Sequence, residues 1–127
     1  MIASTAGKTA VPYNTAYSAS KHGLLGLTKS LAGEIAMEGY PEITVNAICP
    51  FFVRTDMFTG PQGYVAQMAK NRDCSRDEVM EKALSRSLQK RLLEPEEIAG
   101  LAVYLASEEA GGITGQSINV CGGRVFH

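Results

Sequence analysis

The segment Ile43–Cys49, read as ITVNAIC and closed by Pro50, constrains the fold more than any other stretch of the chain. A short, nearly continuous apolar run lacks the alternation of a strand with one wet face. It is the pattern of a strand buried on both sides, as in a parallel sheet covered by helices. A second run, Ser117–Cys121 (SINVC), precedes Gly122-Gly123 and predicts another strand. Around these runs the periodicity is helical. From Thr15 to Glu38, Leu24, Leu27, Leu31 and Ile35 recur at three- and four-residue steps. Small residues on that segment, among them Ala16, Ala19, Gly23 and Gly26, predict close packing against another backbone. Ser75–Glu78 is a Ser-x-x-Glu capping box and predicts a helix through about Leu88. Glu94-Pro95-Glu96-Glu97 opens a further helix over Ile98–Ala106, with proline in its first turn and carboxylates at the positive end of its dipole. Strand alternating with helix predicts an α/β layered sheet.

Composition narrows the function classes. At 127 residues the chain holds one domain with a real core. A net charge of −1 gives no electrostatic footprint for nucleic acid or an anionic membrane. No apolar run approaches a membrane span. Cys49, Cys74 and Cys121 are odd in number, far apart and form no CxxC pair, which predicts neither a disulfide framework nor a zinc site. A reduced cytoplasmic setting is the default. With His22 and His127 as the only histidines, no metal site is expected.

One pair stands out for chemistry. Tyr17 and Lys21 lie four residues apart on the predicted long helix, so both project from one face. A lysine ammonium beside a phenol favours the phenolate, which suits such a phenol to proton exchange with an alcohol or ketone. By itself the pair is more often just a solvated helix face. Ser4 lies thirteen residues before Tyr17 and is followed by Ala6-Gly7. Val45-Asn46-Ala47-Ile48-Cys49-Pro50 leads to Val53-Arg54-Thr55, and the chain closes with Pro95–Ala99, Tyr104–Ser107, Ile113–Gln116 and Gly122-Gly123.

Together these residues resemble the short-chain dehydrogenase/reductase family, whose signature joins a serine, Tyr-x-x-x-Lys and an Asn-Ala-x-x-Pro-Gly turn. The pattern is closest to 3-hydroxybutyrate dehydrogenases and 3-oxoacyl or polyketide ketoreductases. The resemblance implies a Rossmann-type doubly wound parallel sheet, of which residues 1–127 form the C-terminal half: a strand stub, the catalytic helix, the sixth and seventh strands and a substrate lid over residues 55–91. It implies a catalytic group of Ser4, Tyr17 and Lys21, with Ser4 steadying the substrate oxygen, Tyr17 as general acid/base and Lys21 orienting the nicotinamide ribose. Pro50, the backbone around Val53 and the Thr55 hydroxyl would meet the carboxamide of NAD or NADP. The reaction implied interconverts a secondary alcohol and a ketone, in a homo-oligomer, dimer or tetramer. Asn46 is expected to satisfy backbone groups, Cys49 and Cys121 to pack as small apolar residues, and His22 to pack or face water.

Two departures from the family pattern carry expectations of their own. The glycine-rich turn that holds the pyrophosphate in such folds would precede Met1, as would the residue that selects NAD or NADP. The chain is therefore expected to lack its nucleotide-binding N-terminal half, and the alternative to an enzyme is a truncated, non-catalytic or oligomerising half-domain. Phe51 occupies the glycine position of the turn. A positive φ there would cost about 1–2 kcal/mol for phenylalanine, and a ring facing the ligand would intrude on it.

Overall fold

The computed structural model describes residues 1–127. The apolar run forms a shorter strand than its length predicts: β1 spans Ala47–Pro50 and is buried along its whole length. Ile43 at the start of the run is exposed and stays outside the strand. Asn46 ends the irregular part by bonding backbone, as expected: its amide donates to the Ile113 carbonyl at 2.5 Å, and its Oδ1 accepts from Gln116 N–H at 3.0 Å. Strand β2, Ser117–Val120, pairs parallel with β1, Ala47 facing Ser117 and Pro50 facing Val120. On the other side of β1, Ile2 makes a parallel bridge to Ile48, with Ala3 N–H donating to the Ile48 carbonyl at 2.8 Å. The stub, β1 and β2 thus run parallel with β1 in the middle, the α/β arrangement expected.

Helix α1, Thr15–Met37, packs across the stub and β1. It forms over the residues the spacing predicts and buries Leu25, Thr28 and Ala32, while Leu27 of the periodic set remains 53 % exposed. The expected close packing of its small residues is not made within this chain, for a Cβ at Gly23 or Gly26 would meet nothing within 4 Å. The close approach comes from the opposite partner: a Cβ on Gly7 would lie 2.6 Å from the Lys21 carbonyl oxygen. Glycine there lets the turn after the stub rest directly on α1.

Residues 55–91 hold three helices, α2 (Asp56–Thr59), α3 (Tyr64–Arg72) and α4 (Arg76–Leu84). Both arms of the capping box at the start of α4 are present, with Ser75 Oγ accepting from Glu78 N–H and Glu78 accepting from Ser75 N–H. The helix stops at Leu84 rather than Leu88, because Ser85–Lys90 turn back toward the end of β2, where Gln89 N–H donates to the Gly122 carbonyl at 3.0 Å. Phe58, Val65, Ala69, Val79, Ala83 and Leu92 form the core of this region, separate from the sheet core of Ala3, Leu25, Ala47 and Cys49. Helix α5, Pro95–Leu105, carries proline at its start and a Glu94/Glu97 capping box, and the chain passes through it from β1 to β2.

Candidate active site

A cavity of about 850 Å³ opens between the stub, α1, the end of β1 and the helices of residues 55–91. Ser4, Tyr17, Lys21, Pro50, Val53 and Thr55 all line it. Its remaining wall is largely apolar, through Phe52, Met57, Phe58, Tyr64 and Ile98. It lies where the parallel strands end, the place at which open α/β sheets bind ligands.

Each polar group there is held by local structure. Ser4 caps the 3-10 turn Thr5–Gly7, its Oγ accepting from Ala6 N–H at 3.1 Å. That bond occupies a lone pair and leaves the hydroxyl proton to donate elsewhere. One turn apart on α1, Lys21 Nζ sits 5.5 Å from the centroid of the Tyr17 ring. The same ammonium donates to the Ile2 carbonyl at 3.1 Å, tying the helix to the stub. Tyr17 is 40 % exposed, and its ring borders the cavity. Pro50 ends β1, and the chain beyond it is pinned by the Val53–Leu93 bridge, so Val53 and Thr55 reach the cavity from a supported segment. The six residues expected to act together from the sequence therefore share one surface. Their hydroxyls, single ammonium and backbone groups form a donor set that fits the ribose hydroxyls and carboxamide of a nicotinamide nucleoside.

Phe51 departs from the first of its two expectations, strain in the turn. Only Tyr13, Asp73 and Lys90 among the non-glycine residues adopt positive φ, so Phe51 carries no left-handed strain. Its ring stacks on Phe52 with centroids 3.9 Å apart and faces the cavity, where it makes part of the wall. Sequence reasoning passed over Phe52, Phe58, Tyr64 and Arg86 as lining residues. The doublet Phe51-Phe52 beside Pro50 was the available signal. His22 is exposed on α1 and bonds only the Ser18 carbonyl, at 2.9 Å. Cys49 and Cys121 are buried thiols, as expected, and burial pushes the Cys49 thiol up from its ordinary value.

A family model described as enoyl-(acyl carrier protein) reductase, of the short-chain dehydrogenase type, matches residues 1–124. The chain belongs to the short-chain dehydrogenase/reductase family. Its relatives in that family include the monensin polyketide synthase ketoacyl reductase of Streptomyces virginiae, 46 % identical over 123 residues, which are 96 % of this chain and 44 % of that protein. The D-beta-hydroxybutyrate dehydrogenase of Rhizobium meliloti is 37 % identical over 123 residues, again 96 % of this chain and 45 % of the relative. Among solved structures, actinorhodin polyketide ketoreductase with NADPH superposes with a TM-score of 0.84 at 39 % identity, covering 97 % of this chain and 45 % of that one. This short-chain dehydrogenase/reductase chain thus spans under half the length of the relatives it matches, and its parallel α/β sheet is part of their Rossmann-type fold.

Proposed function

We propose that these residues form the catalytic half of an NAD(P)-dependent oxidoreductase interconverting a secondary alcohol and a ketone, on a 3-hydroxy/3-oxo acyl or related substrate. The observation that carries this reading is the meeting of Ser4, Tyr17 and Lys21 on one cavity at the strand ends. When bound, the nicotinamide supplies or accepts the hydride at the substrate carbon. The chain's own residues handle the oxygen. Ser4 donates its free hydroxyl proton to the substrate oxygen and stabilises the charge that grows there. Tyr17 gives its phenolic proton to that oxygen during reduction and takes it back during oxidation. Lys21, steadied by the Ile2 carbonyl, keeps a positive charge beside the Tyr17 ring and bonds the ribose hydroxyls. Pro50, Val53 and Thr55 face the carboxamide, and residues 55–91 cover the substrate. The 44 % and 45 % coverage of the relatives supports a domain whose other half holds the rest of the dinucleotide.

The assembly belongs to the same proposal. Helix α5 buries none of its residues, and Val103, Tyr104 and the α1 residue Leu27 are open, which supports a dimer or tetramer formed through these helices. All the cysteines are free, which suits the reducing cytoplasm. The test uses a completed domain, made by replacing the matched 123-residue segment of the monensin relative with this chain. Nicotinamide absorbance is followed with NADH and NADPH against ethyl acetoacetate. Turnover with at least one cofactor is expected. A folded domain that binds dinucleotide and reduces no 3-oxo compound would contradict the reading.

A further inference from the structure

The cavity carries a charge that the proposed proton chemistry does not use. Lys21 and Arg86 are its only charged lining residues, and no aspartate or glutamate lines it. Arg86 is half-buried, with its guanidinium 5.8 Å from the Phe51 centroid and 5.9 Å from that of Phe52. A second guanidinium, Arg124, lies 5.8 Å from the same Phe51 ring. Both ion pairs of the chain are made elsewhere, Arg54 with Glu94 and Arg91 with Glu97, so no carboxylate neutralises either group.

Three separate stretches build this arrangement. Phe51 follows β1, Arg86 follows α4, and Arg124 follows β2. The turn holding Arg86 is fastened to the turn holding Arg124 by the bond from Gln89 N–H to the Gly122 carbonyl. Gly123, at φ +78, accepts Leu88 so closely that a Cβ would fall 2.9 Å from its side chain. The two arginines are thus brought to one aromatic ring by packed backbone. Nearly equidistant from two rings that stack on each other, the Arg86 guanidinium lies beside the pair rather than over either face, and its planar fork of N–H donors suits a planar anion. An uncompensated, partly desolvated cation in an apolar wall gains most from such a ligand.

We infer that Arg86, with Arg124 at the same Phe51 ring but outside the cavity lining, is an anion subsite that selects substrates bearing a carboxylate or phosphate on an apolar acyl body. This rests on the reductase reading for the word substrate, and on the cavity alone for the anion. A free keto acid would supply the carboxylate, and a coenzyme A thioester the phosphate.

Calorimetric titration of the completed domain with hexanoate, hexanoyl-coenzyme A and the neutral hexanamide tests it. At least one anionic probe is expected to bind about ten-fold or more tightly than hexanamide. Arg86→Gln abolishes that preference and Arg86→Lys keeps part of it, because charge remains while the planar fork of N–H donors is lost. Arg124→Gln weakens the same probe and serves where Arg86→Gln fails to fold. Loss confined to hexanoate identifies the carboxylate source, and loss confined to the thioester the phosphate source. Equal affinity for all three probes, no binding of either anion, or a preference that survives both glutamine variants overturns the subsite. Reduction of ethyl acetoacetate by the same protein reads the reductase proposal separately: an anion preference without turnover sinks that proposal and leaves the subsite standing.

Discussion

Ser4 and Phe51 show how single residues divide the work at this site. The Ser4 oxygen already accepts from Ala6 N–H, so the hydroxyl is oriented before any substrate arrives. Ser4→Ala is expected to lower turnover of the completed domain about 10²-fold, the scale for losing one donor to a developing oxyanion. The lost cap costs about 0.5–2 kcal/mol of stability, measurable by urea unfolding, which keeps the two effects apart. Phe51 was expected to strain the turn or to crowd the cofactor. Its ordinary backbone angle removes the first concern, and its stack on Phe52 makes it part of the wall. Phe51→Gly therefore relieves no strain. It is expected to cost about 1–3 kcal/mol through lost burial and stacking, again read by urea unfolding; unchanged or increased stability would contradict this account of the ring. The identities of Ser4, Tyr17 and Lys21 were legible because their chemistry depends on residue type and short spacing. Arg86 was not, since its place in the cavity follows from where α4 stops.

At the scale of elements, caps and turns were easier to read than faces. The Ser75/Glu78 box and the proline and carboxylates of Glu94–Glu97 are local in sequence, and each opens a helix where expected. The spacing of Leu24, Leu27, Leu31 and Ile35 gave the helix but not its buried face, because three- and four-residue steps run along more than one side of an apolar helix. What decides between sides is the neighbour, here Gly7 against the Lys21 carbonyl. Gly7→Ala is expected to push the Ser4 turn away from α1, costing about 1–3 kcal/mol and lowering turnover by more than the stability loss explains. Kinetics at a temperature where the variant remains folded would separate the two. The start of α5 gives a pH dependence with a defined sign. Arg91 donates twice to Glu97, at 2.7 Å each, and Glu94 N–H donates to it at 2.8 Å, holding that carboxyl at about 2. The folded value lies below the ordinary one. The stabilisation is therefore complete above about pH 4.5 and is lost as pH falls through about 2. Thermal unfolding followed by circular dichroism should show this acid-sensitive contribution in the wild-type chain and its absence in Glu97→Gln.

For the molecule as a whole, the layered α/β class was legible from one buried strand, a second half-buried one and the helices between them, while the sheet's extent was not. Burial of β1 on both faces, with the stub on one side and β2 on the other, leaves the Ile2 edge at 54 % exposure. The polypeptide of residues 1–127 on its own is expected to bind neither NAD nor NADP measurably, because most dinucleotide contacts in such folds come from a glycine-rich turn and the helix after it. Calorimetric titration checks this, and micromolar binding would refute it. The central claim concerns the chemical group itself, and Tyr17→Phe in the completed domain addresses it most directly. Phenylalanine keeps the ring beside Lys21 and removes only the proton carrier. Steady-state turnover of ethyl acetoacetate should fall to background while the dinucleotide dissociation constant, titrated in parallel, stays within about two-fold of wild type, an energy difference of roughly 0.4 kcal/mol. Turnover near that of the wild type would take Tyr17 out of the reaction and contradict the account.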